Sequence, residues 1–107
     1  MPSERRLIRF TTPEVEEALR HFAEEHARTL PSSKVAGIEY DGETEEGVGA
    51  RVKFENVPRP THFTALETAA ALIAYCRKMR VPIPKQGQKS LHKQKNNLIL
   101  QIDVKQR

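Results

Sequence analysis

The sequence predicts a two-layer α+β sandwich, one domain over residues 1–107, with elements in the order β-α-β-β-α-β-β. Three observations carry this prediction. Two segments place apolar residues at helical spacing, several others alternate at strand spacing, and proline or glycine lies between them. The first six elements follow the split βαβ, ferredoxin-like pattern. The arrangement expected is therefore two helices on one face of a mainly antiparallel sheet of four or five strands. Neither an internal repeat nor a low-complexity tract is read from the sequence.

The first element is a short strand, Arg6 to Phe10, with Ile8 and Phe10 on one face. A helix follows from Thr12, which can cap it, with Pro13 at the first helical position, where its missing N–H is no loss. Val15, Ala18, Leu19, Phe22 and Ala23 form its apolar stripe. Glu16–Arg20 and Glu24–Arg28 are spaced to pair across a turn on the wet side. "KVAGIEYDG" and "GVGARVKFEN" predict paired strands around an acidic loop, the second placing Val48, Ala50, Val52 and Phe54 on one face. "VPRPTHF" reads as a stiff extended connector because of Pro58 and Pro60.

A second helix is expected from about Thr64 to Arg80, with Leu66, Ala69, Ala70, Ile73 and Cys76 as its core stripe, widened by Leu72, Tyr75 and Met79. "VPIP" stops it, and Val81 and Ile83 are expected to tuck toward the core. The tail predicts a hairpin. A weak strand "KSLHKQ" turns at residues 95–97 into a strong strand with Leu98, Leu100, Ile102 and Val104 on one face.

Composition narrows the function classes. The single Cys76 excludes an intramolecular disulfide framework. No apolar run is long enough to span a bilayer, and the N-terminal stretch lacks the hydrophobic segment of a secretory signal. A cytoplasmic protein with no membrane role is the expectation. The formal charge is +4, but it is unevenly spread. Residues 1–56 carry 8 Lys/Arg against 12 Asp/Glu, and residues 57–107 carry 10 against 2. Such asymmetry points to an anionic partner or to a complementary second copy.

Chemistry is sparse. His21 and His26 are five residues apart, so they diverge around a helix, while His62 and His92 lie on separate elements. No histidine pair has a metal-ligand spacing and Cys76 has no CxxC partner, so neither a metal nor a cofactor is expected. The loop carrying Asp41, Glu43, Glu45 and Glu46 lacks the calcium-loop spacing. Cys76 precedes a basic run that would favour a thiolate, but it falls on the apolar stripe, where packing is the expected role. No nucleophile elbow, Walker loop or dinucleotide fingerprint occurs. No catalytic residue is assigned, and an enzyme is not expected.

One segment stands out. Residues 75–95 contain Arg77, Lys78, Arg80, Lys85, Lys89, Lys93 and Lys95 and not one carboxylate. Converged, these residues would bind phosphates by counterion release, without reading bases. An RNA-recognition sheet needs stacking aromatics where "GVGARVKF" has Val48 and Ala50, so that module is excluded. The competing role is edge protection, since lysines on an edge strand block sheet-to-sheet pairing. The sequence thus supports a non-enzymatic binding or adaptor protein, with nucleic acid or another polyanion as preferred partner. The alternative is a protein–protein module, including a homodimer in which the acidic half of one copy meets the basic half of another.

Overall fold

A computed structural model describes residues 3–41, 47–84 and 87–105. Within them the chain runs β1 (Ser3–Phe10), α1 (Thr12–Glu25), β2 (Val35–Tyr40), β3 (Ala50–Phe54), β4 (Thr61–Phe63), α2 (Ala65–Lys78), β5 (Gln88–Gln94) and β6 (Asn97–Lys105). The α+β class holds: two helices accompany antiparallel strands. The sheet does not follow the ferredoxin-like expectation. The strands form two three-stranded sheets, ordered β1-β6-β5 and β2-β3-β4.

Two local causes produce this outcome. The connector "VPRPTHF" ends in a strand, β4, which folds back on β3 with Ala50 opposite Phe63 and Val52 opposite Thr61. This closes one side of β3. Meanwhile β1 takes the last strand, β6, in a ladder running from Ser3 opposite Lys105 to Phe10 opposite Leu98. That ladder sets Ile8 and Phe10 beside Leu100 and Leu98, which a pairing with the five-residue β3 could not match in length.

The structure also reveals a repeat that the sequence reading did not find. Helix α1 begins at Thr12 and α2 at Ala65, an offset of 53, and the same offset separates their last residues, Glu25 and Lys78. The buried residues of α1 are Val15, Ala18, Leu19, Phe22 and Ala23. Moved by 53 they become Thr68, Ala71, Leu72, Tyr75 and Cys76, which are the buried residues of α2. The helix ends correspond as well. Glu14 accepts from the Thr11 amide at 2.9 Å, and Glu67 accepts from the Thr64 amide at 2.9 Å. Beyond each last turn a left-handed residue, Ala27 (φ 54) or Arg80 (φ 59), directs the next amide, of Arg28 or Val81, back to the carbonyl of Ala23 or Cys76 at 2.8 Å.

The chain is therefore two βαββ units, β1-α1-β2-β3 and β4-α2-β5-β6, that exchange their first strands. Each sheet combines the hairpin of one unit with the first strand of the other. The registers correspond: Phe10 of β1 faces Leu98 of β6, and its counterpart Phe63 of β4 faces Ala50 of β3. Ring contacts cross between units in the same way. Phe10 meets Tyr75 and Phe63 meets Phe22, both edge-on at 6.4 Å. Ion pairs bridge the units too, Arg5–Asp103 at 2.7 Å and Arg28–Glu67 at 2.9 Å.

One apolar cluster joins both helices and both sheets. It contains Phe10, Leu19, Phe22, Val48, Ala50, Val52, Phe54, Phe63, Leu72, Tyr75, Cys76, Leu91, Leu98, Leu100 and Ile102. The alternation expected in "VGARVKF" holds, with Val48, Ala50, Val52 and Phe54 all buried. The expected stripe of α2 holds in part: Leu72, Tyr75 and Cys76 are buried and Ala69 and Ile73 pack against the core. Leu66 is 74% and Met79 53% exposed, and Ala70 is also exposed, while Thr68 and Ala71 are buried instead. Cys76 remains in the core. Arg28 also departs from its expected pairing with Glu24. It reaches the second unit, stacking 4.4 Å over Phe63 and bonding Glu67 and the His62 carbonyl. Ile83 packs on the core as expected, whereas Val81 is 37% exposed.

Candidate polyanion-binding edge

Among the described residues strand β5 ends its sheet, so one row of its backbone N–H and C=O groups has no neighbouring strand there. Its register is fixed by β6, with Lys89 opposite Ile102, Leu91 opposite Leu100 and Lys93 opposite Leu98. Leu91 is buried, so the face it shares with Lys89 and Lys93 is the core face of this sheet. Lys89 is half-buried and Lys93 exposed at the margin of that face. Lys95 follows, exposed, in the hairpin turn with φ 53. From Lys89 to Lys95 the strip covers about 20 Å, at roughly 3.3 Å per residue.

Both ends of the strip are anchored. At one end, Lys89, Ile102 and Arg6 lie in a single cross-strand row. The Arg6 guanidinium donates to the Pro82 carbonyl at 3.1 Å, so the proline connector leaving α2 passes over this row. At the other end, the Asn96 carbonyl accepts from the Thr12 hydroxyl at 3.0 Å, which ties the hairpin tip to the start of α1. Arg6 is a cation of this row that sequence reasoning missed. Only a pairing spanning almost the whole chain places it there.

The remaining basic residues are distributed differently. Arg77 lies exposed in the last turn of α2, and Arg80 occupies the exposed left-handed position beyond it. Lys78 turns toward α1, with its ammonium 3.9 Å from Glu17. Lys85 lies outside the described residues. The expected patch thus becomes two groups, a strip along β5 and a helix-end group, each with one member already facing a carboxylate, Arg6 beside Glu4 at 3.1 Å and Lys78 beside Glu17.

The opposite faces are neutralised by their own charges. On β2-β3-β4, Glu39 pairs with Lys53 and Arg51, Asp41 with Arg51 at 3.4 Å, and His62 Nε2 lies 3.1 Å from Asp41. The hydrogen bond from Lys53 holds the Glu39 carboxyl below its usual range. On β1-β6-β5, Asp103 is held below its usual range first by Arg5 and then by Gln101. An open depression of about 490 Å³ beside it is lined by Ser3, Glu4, Arg5, Gln88, Asp103 and Val104. Its one carboxylate from β6 is already engaged.

Cys76 is wholly buried, and burial pushes its thiol up, away from the thiolate. His26 stacks on Phe22 at 4.1 Å, at the end of the core stripe. His21 is half-buried beside Glu25 at 3.5 Å. Among the described residues no group of three or more His, Cys, Asp or Glu side chains is placed to hold a metal. No helix among them is long and apolar enough to cross a membrane. Comparison with protein-family models, curated proteins and solved structures gives no match to this chain.

Proposed function

We propose that this chain is a non-enzymatic binding protein that takes an extended polyanion, preferentially nucleic acid, along the β5 edge. The observation that carries the reading is the strip itself. Lys89, Lys93 and Lys95 follow one open strand edge with Arg6 in the same row as Lys89, and β5 has no carboxylate of its own. Phosphates drawn to such a strip release counterions, and exposed backbone amides on an open edge are further donors. No Phe, Tyr or Trp belongs to β5, and contacts through lysines and backbone amides go to phosphates, so binding is expected to be independent of sequence.

A second reading has its own observation. Lys89 and Lys93 lie on the core face of an edge strand, and charges turned inward there prevent another strand from adding. The two roles are compatible. Titrating the chain with single- and double-stranded nucleic acid at 50 and 200 mM salt tests the first. Three phosphate contacts predict about a 20- to 40-fold loss of affinity between those concentrations. No binding at the lower salt removes the polyanion reading and leaves edge protection.

A further inference from the structure

We propose that two copies of this chain form a dimer by exchanging whole βαββ units, each unit of one copy completing the sheets of the other. The partner this interface fits is a second copy of the same chain. The inference rests on the fold and does not depend on the polyanion reading.

The contact between units is built from matched halves. β1 docks on β6 as β4 docks on β3, and Phe10 meets Tyr75 as Phe63 meets Phe22. Neither unit is complete alone, because the third strand of each sheet comes from the other unit. A unit from a second chain supplies the same strand and the same ring, so exchange preserves these contacts. Ion pairs between the units run both ways: Glu17 and Asp41 of the first unit reach Lys78 and His62 of the second, and Arg5 and Arg28 of the first reach Asp103 and Glu67 of the second. The first half of the sequence is net acidic and the second net basic, so a first unit is drawn to a second unit rather than to its own kind.

The connection between the units is suited to opening. β3 and β4 are antiparallel neighbours joined through residues 55–60. The reversal there uses Asn56 at φ 62, left-handed backbone that a non-glycine residue adopts at a cost. Pro58 and Pro60 follow, and they hold Val57 and Arg59 in extended conformations. Straightening the turn at Glu55 and Asn56 together with the bend at Pro58 and Arg59 turns the hairpin into one extended segment. That releases the strain and gives up the local bonds from Glu55 to Lys34 and from Val57 to Phe54. Other contacts reform between chains, so concentration during folding decides the balance.

The test places cysteines at a facing pair of the β1–β6 ladder, Arg9→Cys with Ile99→Cys. The native thiol is removed by Cys76→Ala, the residue its counterpart Ala23 already carries. The protein is unfolded, refolded at micromolar and at near-millimolar concentration, oxidised, and run on non-reducing gels beside light scattering of the unaltered chain. A closed chain gives an intrachain bond at 12.2 kDa, whereas an exchanged pair gives a covalent dimer at twice that mass. The expected result is a dimer fraction that rises several-fold with refolding concentration and is absent from the Arg9→Cys single variant. Adding Asn56→Gly, which removes the left-handed strain, should lower it several-fold. Monomer alone at the higher concentration, or a scattering dimer whose disulfide stays intrachain, overturns the proposal.

Discussion

Substituting Phe10 and Tyr75 by leucine, singly and together, probes whether the two units are packed through each other. The rings meet edge-on at 6.4 Å although they belong to different units, and both are buried. Each single change removes ring area and leaves a partial void, a cost of about 1–2 kcal/mol against a total stability of about 5–15 kcal/mol. The pair should add a coupling of about 0.5–1.5 kcal/mol, the range for an edge-to-face contact. Among the described residues Phe10 makes no ring contact with Phe22, the aromatic of its own unit. The cycle of Phe10→Leu with Phe22→Leu should therefore be additive within about 0.5 kcal/mol. Urea unfolding measured by circular dichroism gives all the free energies needed. Coupling within the unit and additivity between units would refute the strand-exchanged packing.

Further predictions concern single groups. Cys76 should resist alkylation in the native protein and react on unfolding; rapid native labelling near neutral pH would remove it from the core. The Thr64 amide, and then Arg28, hold the Glu67 carboxyl below its usual range, so its contribution to stability is complete above the unfolded value near 4.3 and is lost as pH falls below it. Thermal unfolding of Glu67→Gln should accordingly depend less on pH below about 4.3 than the parent, and equal dependence would contradict the assignment. Burial pushes the Tyr40 hydroxyl up to about 12 and raises Tyr75 as well, so stability should be undiminished below the unfolded value near 10 and fall as pH rises toward 12. Phenolate absorbance that appears near pH 10 in the folded protein would count against both burials.

Local pattern made some of this structure legible and long-range pairing hid the rest. In α1 polar residues surround a narrow apolar stripe, so the buried face was fixed by contrast. In α2 alanines and large apolar residues nearly encircle the helix, and no polar side sets the phase. The predicted stripe was therefore rotated, and Leu66 and Met79 fell on the wrong side. Strand β4 has three residues, too few for alternation to register. The repeat was missed because its halves agree in physical role more than in identity. Phe22 answers to Tyr75, Ala23 to Cys76 and Val15 to Thr68. The basic strip was visible as a lysine-rich edge strand, yet Arg6 joins it only through the pairing of β1 with β6, and that pairing has no local signature.

The salt dependence of nucleic-acid affinity, compared between the parent chain and a Lys89→Gln, Lys93→Gln, Lys95→Gln variant, tests the binding edge most directly. If the strip holds phosphates, the slope of log K against log salt should shrink by about 2 on a single strand and by nearly 3 on a duplex. Thermal stability should change little, because Lys93 and Lys95 are exposed and glutamine keeps most of the half-buried Lys89 stem. An unaltered slope and affinity in the variant would contradict the account, and an accompanying rise in aggregation would assign those lysines to guarding the edge alone.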